Sequence, residues 1–331
     1  MTQLLPDLAP MGAWEPEWTA PTPIQRLRRL GQSELRVSPL AIGGNVFGWT
    51  TDAETTDAIL DRYAELGGNF IDTADSYASG RSEIMIGNWM RERRNRSQLV
   101  VATKIGKSAD NPGLSAGTVM RAVDASLERL QTGYLDLLYL HIDDPNVDFE
   151  ETLLAVDWLI RAGKVRYFGV SHHSGNRLIE ARVIAAQLGI TPLVAVQNHY
   201  NLMHRAEYEG TLASVARNQG LGVMPRFALA GGFLTGKYRT RADVARGARG
   251  TKPTTYLNKR GLRTLACLDG IAAVQESVPA TIALAWLLAK PNVVAPVASA
   301  SHPSQVDSLM AAADIQLTRH QLAALDRASA S

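Results

Sequence analysis

From residue 40 onward, short apolar segments alternate with longer amphipathic ones. The apolar runs lie at 40–42, 70–71, 99–103, 137–140, 165–170, 193–196, 221–224 and 293–297. They are short and nearly continuous, the pattern of strands buried on both faces. Stretches with helical spacing lie between or beside them, at 83–90, 115–130, 149–161, 176–188, 206–218, 262–274, 279–288 and 304–312. The first helix is capped by Thr51 or Asp52, carries Ala53, Ile59, Leu60 and Tyr63 on its apolar face, and is closed by Gly67-Gly68. Most strands recur at roughly 30 residues, the size of a βα unit. Eight such units make a parallel sheet, either doubly wound and open or closed as a (β/α)8 TIM barrel. The strand count and the polar residues that follow nearly every strand favour the α/β barrel, whose loops build one mouth. A doubly wound dinucleotide fold needs G-x-G-x-x-G after its first strand. Gly43-Gly44-Asn45-Val46-Phe47-Gly48 lacks that spacing, and no Walker A pattern occurs.

Upstream, 25–30 and 35–38 flank Gly31-Gln32-Ser33-Glu34, an N-terminal β-hairpin signal. Residues 1–23 hold five prolines and read as an extended leader with Trp14 and Trp18 as its large apolar groups, leaving 24–331 as a single barrel domain with extra helices. The leader has no basic start followed by an apolar block, so it does not resemble a secretory signal. No apolar run approaches the roughly 20 residues of a membrane span, and a cytoplasmic location is expected by default. The formal net charge is +2, which favours neither nucleic acid nor a membrane as partner. The basic cluster at 91–96 sits at an expected helix end, where cations suit the dipole. The single cysteine, Cys267, excludes an intramolecular disulfide and reads as a small buried hydrophobe. No Cys/His spacing suggests a metal. Oligomeric state is not legible.

Three strands run into charge: 70–71 into Asp72, 99–103 into Lys104 and 137–140 into His141, with Tyr77 five residues past Asp72. At a barrel mouth, Asp72 and Lys104 can pair. A lysine cation beside the Tyr77 hydroxyl favours phenolate and is expected to pull its pKa down from about 10. Tyr77 is then a general acid for a carbonyl oxygen, and His141 a hydrogen-bond donor to the same oxygen. Such a site, with no metal and no side-chain nucleophile, needs hydride from a nicotinamide cofactor.

These residues carry a resemblance. Gly67-Gly68-Asn69-Phe70-Ile71-Asp72-Thr73-Ala74-Asp75-Ser76-Tyr77 is similar to the G-x-x-F-x-D-T-A-x-x-Y pattern of the aldo-keto reductase family. Gly80-Arg81-Ser82-Glu83, Val101-Ala102-Thr103-Lys104 and Leu135-Asp136-Leu137-Leu138-Tyr139-Leu140-His141 resemble its next motifs in order, and the likeness runs from about residue 30 to 325. The resemblance implies Asp72, Tyr77, Lys104 and His141 as the catalytic tetrad. It also implies Gly44 and Asn45 near the cofactor, Ser171 and Gln197 at the nicotinamide carboxamide, and His172 where the family has asparagine. Leu229, Gly231 and Lys237, in 229–238, resemble the loop that covers the pyrophosphate. Two further departures lie at the nicotinamide-stacking position and at the adenosine end. Arg226 stands where an aromatic ring stacks on the nicotinamide, and its guanidinium either stacks there or turns outward, leaving Phe227 to pack. At the adenosine end, Ser299 and Gln305 replace the Lys and Arg of some relatives, with Ser301 at a helix start and Arg249 reaching over from the insertion. The implied cofactor is NADP(H), with NAD(H) the alternative.

The function expected is an oxidoreductase interconverting a carbonyl and an alcohol, acting on a small molecule. Two other readings stand beside it: a Schiff-base lyase using Lys104, and a non-catalytic cofactor-binding regulatory subunit on the same fold. Phe47 and Trp49 are expected in the substrate wall. Asp143 and Asp144 read as a turn and helix-cap device.

Overall fold

The structure, a computed structural model, describes residues 27–245 and 252–330. The leader, its tryptophans and Arg249 lie outside the described residues. The hairpin forms from β1 (Arg28–Arg29) and β2 (Arg36–Val37), paired antiparallel with Arg28 opposite Val37. Eight parallel strands follow: β3 (Ala41–Gly43), β4 (Phe70–Asp72), β5 (Val100–Ile105), β6 (Leu135–Leu140), β7 (Val165–Ser171), β8 (Ala195–Gln197), β9 (Gly222–Val223) and β10 (Val297–Ala298). They are ordered β10-β3-β4-β5-β6-β7-β8-β9. A bridge between Val223 and Val293 and the hydrogen bonds Val294 N–H to Val223 O (2.9 Å) and Val297 N–H to Pro225 O (2.8 Å) bring the last strand's segment back to β9. The sheet is the (β/α)8 barrel that the periodicity predicts.

Side chains alternate across each strand, so parity decides which face a residue joins. Ala41, Phe70, Val100, Ala102, Leu137, Tyr139 and Ala195 share one buried cluster inside the barrel. Their neighbours Ile42, Ile71, Val101, Leu138 and Val196 belong to the outer cluster packed against the helices. Leu30, Leu35 and Val37 of the hairpin join the inner cluster beside Val100 and Val194, residues at the N-terminal ends of strands. The hairpin therefore plugs the bottom of the barrel and leaves the opposite end for the site.

Several helices differ from expectation at their ends. The helix predicted at 83–90 spans Arg81–Arg93, and that at 206–218 begins only at Thr211. Ala53 is exposed, while Ile59, Leu60 and Tyr63 are buried. Asp52 is the cap, accepting from Thr55 N–H at 2.9 Å. A further helix, Arg319–Ala328, adds to those the apolar spacing predicts, and Thr318 and Gln321 form its capping box. Helix Pro279–Leu288 is buried from Ala280 to Leu287, which accounts for its continuous apolar run. Among the described residues, no single helix is long and apolar enough to cross a membrane. Cys267 is only partly buried against the core.

Candidate active site

The same parity aims Asp72, Lys104, His141, Ser171 and Gln197 toward the barrel axis, because each shares the odd or even set of its strand's inward residues. Lys104 lies within β5, which continues to Ile105 rather than ending before the lysine. β4 is held in place by Tyr63. Its phenol donates to Leu40 O at 2.6 Å, lies 2.7 Å from Ser38 Oγ, and receives Phe70 N–H at 3.1 Å. Gly68 sits against that ring so closely that a Cβ would lie 2.3 Å from it.

Tyr77 follows β4 in a loop whose next three residues, Ala78, Ser79 and Gly80, all have positive φ (49°, 55° and 82°) and turn the chain into helix Arg81–Arg93. Buried polar contacts clamp this loop. Ser82 Oγ lies 2.8 Å from Thr73 Oγ1 and donates to Gly44 O at 2.8 Å. Glu83 is fully buried, accepting from Thr103 Oγ1 (2.5 Å) and Arg129 Nε (2.7 Å).

Asp72 and Lys104 are almost wholly excluded from solvent, at 1% and 0% exposure. Lys104 Nζ donates to Asp72 Oδ2 at 2.6 Å and to Thr73 O at 2.7 Å, and lies 5.0 Å from the Tyr77 ring centroid. Asp72 Oδ1 accepts from Gln197 Nε2 at 2.8 Å. Burial works against the Lys104 ammonium, but Asp72 and Tyr77 outweigh it and hold its pKa above the ordinary lysine value. The expectation for Tyr77 needs correction. Burial pushes the phenol up, and this exceeds the opposing pull of Lys104, so the net shift is upward. The His141 ring meets Tyr77 edge-on at 6.2 Å between centroids. Burial and the nearby cations push His141 down to about 2, leaving a neutral imidazole whose buried Nδ1 has no partner.

One cavity of about 830 Å3 joins these groups to the other expected positions. Its lining includes Asp72, Tyr77 and His141 together with His172, Gln197, Arg226 and Phe227. Leu229, Gly231 and Lys237 line it too, as do Asn45, Ser299, Ser301 and Gln305. Its volume suits a dinucleotide, and Gly231 and Gly232, both at positive φ, supply a close-approach backbone in its wall. Gly44 and Ser171 do not line the cavity. The Gly44 carbonyl is taken by Ser82, and Ser171 Oγ donates to Gln197 O at 2.8 Å. Gln197 reaches the cavity with its amide N–H already committed to Asp72. Among the other lining residues, Gln305 Oε1 accepts from Ser301 N–H at 2.9 Å, and Ser299 Oγ bonds Asn45 Oδ1. The helix after Ser301 is only Ser304–Met310, too short to serve as an anion site by its own dipole.

Phe47 belongs to the core at 0% exposure and not to the substrate wall, whereas Trp49 is 58% exposed and lines the cavity. Asp144 accepts from Asn146 N–H (3.0 Å), the turn role expected, and from Leu114 N–H (3.0 Å), whereas Asp143 pairs with Arg177 (2.9 Å) and the cap position of the next helix is Asp148, so neither is the helix cap. Arg96, in the basic cluster, pairs with buried Asp136 at 2.8 Å. Arg226 turns toward His172, with Nη2 3.2 Å from Nδ1, and packs over Phe227. Lys107 also lines the cavity. Sequence reading passed over it, although a second lysine three residues after Lys104 was the available signal. Outside the cavity, donor atoms of His199, His204 and Glu207 lie within 4.8 Å of one another. The two rings stack, and His204 Nε2 is 2.7 Å from the Glu207 carboxylate.

Residues 39–330 match the model of the Aldo/keto reductase family. A protein of Oryza sativa subsp. japonica named as a probable voltage-gated potassium channel subunit beta is 33% identical over 298 residues, covering 87% of this chain and 91% of the relative. Norsolorinic acid reductase B of Aspergillus parasiticus is 30% identical over 331 residues (92% and 84%). An uncharacterized oxidoreductase of Bacillus subtilis is 33% identical over 311 residues (90% and 94%).

Proposed function

The chain belongs to the aldo/keto reductase family, and from that premise we propose that it is an NAD(P)(H)-dependent oxidoreductase interconverting a carbonyl and an alcohol. The observation that carries this reading is the buried Lys104–Asp72 pair set against Tyr77 and a neutral His141 in the wall of a cavity of about 830 Å3. A nicotinamide cofactor, when bound, supplies hydride to the carbonyl carbon. Leu229, Gly231 and Lys237 would hold its pyrophosphate, and Asn45, Ser299, Ser301 and Gln305 its adenosine end, a reading supported by their sharing the lining of one cavity. NADP(H) is the form assigned, with NAD(H) the alternative. Paired KM measurements with NADPH and NADH decide between them.

In reduction, Tyr77 Oη donates its proton to the carbonyl oxygen as that oxygen gains charge. A high phenol pKa suits this role, since the acid is fully protonated at neutral pH. Lys104 then stabilises the phenolate left behind, and Asp72, held by Gln197, keeps Lys104 charged and aimed. His141, neutral, orients the oxygen by hydrogen bonding. In oxidation, the phenolate takes the alcohol proton.

Tyr77→Phe is expected to abolish turnover while cofactor binding, followed by fluorescence titration, persists. Substantial remaining turnover would overturn the mechanism. The same lysine weakens the lyase reading. A Schiff base needs a neutral amine with a free lone pair, and Lys104 is held as a doubly hydrogen-bonded ammonium. The name of the rice relative, a probable channel subunit, fits the regulatory-subunit reading only in part, and no cofactor oxidation across a broad carbonyl panel would support that reading.

A further inference from the structure

Beside the Tyr77 end of the cavity, Lys107 Nζ lies 3.0 Å from His172 Nε2, and Arg226 Nη2 lies 3.2 Å from His172 Nδ1. Two cationic donors thus face the two nitrogens of one imidazole. A neutral imidazole carries one N–H and one acceptor lone pair, so it can accept from only one of them. Burial and the two cations keep His172 neutral by pushing it down to about 4. Arg226 Nε is also buried without a partner. Glu207 is the acid whose charge Arg226 feels, but its carboxylate is engaged by His204. Among the described residues, no carboxylate lies within ion-pair distance of Lys107 or Arg226. The cluster has more donors than acceptors and lacks an anion. His172 takes a left-handed backbone (φ 61°) to stand there, a conformation uncommon outside glycine.

We propose that Lys107, His172 and Arg226 form a subsite for an anionic group of the substrate, and that the carbonyl compound turned over is a short oxo acid. A carboxylate entering the cluster offers two oxygens with several lone pairs. One accepts from Lys107, the other from the Arg226 fork, and His172 is freed to donate its N–H. The His141 and His172 ring centroids are 6.0 Å apart. With the two oxygens on the facing sides of the rings, each about 3 Å from a ring nitrogen, a chain of a few bonds spans acid and carbonyl. Lys107 is exposed, which places the acid at the cavity mouth and the carbonyl beneath it. This inference rests on the carbonyl-reducing reading, and Lys107, which has no part in the cofactor positions, separates a substrate role from a cofactor one.

The test compares levulinate with methyl levulinate, and phenylglyoxylate with its methyl ester, in the full-length protein with saturating cofactor. The acid should exceed its ester in kcat/KM by about tenfold or more, carried by KM, as expected for a charge-assisted hydrogen bond. Lys107→Met should collapse that ratio toward one, and Lys107→Arg should retain it. Esters turned over as well as acids would overturn the inference, as would a Lys107→Met variant that weakens acid and ester alike. Calorimetric titration with succinate and succinamide gives a readout independent of turnover. Preferential succinate binding that Lys107→Met removes supports the subsite, and equal binding overturns it. If succinate binds selectively while no carbonyl is ever reduced, the subsite stands and the catalytic reading falls.

Discussion

Asp72→Asn isolates the energetics on which the site depends. The substitution keeps the shape and removes the charge from a carboxylate that is 1% exposed and 2.6 Å from a lysine that is 0% exposed. Lys104 would retain its Thr73 carbonyl contact but lose its counterion, while the desolvation of the ammonium stayed in place. Breaking a buried pair from one side costs about 3–5 kcal/mol, since the remaining charge is uncompensated. Lys104→Met should cost a similar amount, leaving Asp72 with Gln197 as its side-chain partner. The double variant removes both charges, so it should cost no more than either single change, which makes the coupling at least as large as one single loss, about 3–5 kcal/mol. Urea denaturation of wild type, both singles and the double, read by linear extrapolation, measures the cycle. Additive losses, or single losses below about 1 kcal/mol as at solvated surface pairs, would refute the claim that this pair is desolvated.

The raised Tyr77 phenol predicts that the carbonyl-reduction rate has no basic limb attributable to it below the ordinary phenol value of about 10. Alcohol oxidation, which needs the phenolate, should rise with pH over the same range, and stopped-flow rates in both directions check this. Asp75 is 2% exposed with both carboxylate oxygens unpartnered, and burial pushes it up to about 7. The native state therefore holds a proton that the unfolded chain has released above about pH 4, so this contribution to stability declines as pH rises from about 4 through 7. Asp75→Asn should gain on wild type by a few kcal/mol between pH 5 and pH 8, and a constant difference in denaturation midpoints would refute the assignment. Gly68→Ala drives a methyl into the Tyr63 ring, which its hydroxyl contacts pin in place. The expected cost is about 1–3 kcal/mol by overpacking, and loss of turnover should accompany it through displacement of β4, both read on the purified variant.

Much of this protein was legible without coordinates, for a reason of periodicity. A parallel barrel buries each strand on both faces, so the apolar runs announce the strands. Alternation then sets which residues face the axis, and a single parity rule places Asp72, Lys104, His141, Ser171 and Gln197 inside the barrel. Turn and cap chemistry did the same for Gly67-Gly68 and Asp52. Helix Arg319–Ala328 is announced by the Thr318–Gln321 capping box and by Leu322 and Leu325, local signals that were present in the sequence and passed over. Other features depended on tertiary proximity. The sign of the Tyr77 shift turns on how much burial opposes a cation, and burial is a property of the closed cavity. Phe47 and Trp49, two residues apart, went to the core and to the cavity because packing around the loop separated them. Gln197 is committed to Asp72, 125 residues away in the chain. Lys107, His172 and Arg226 come from the loops after three different strands, and their excess of donors exists only where those loops meet. Local alternation determines which way a side chain points. Which groups it then faces, and how dry the space between them is, follows from closing the barrel.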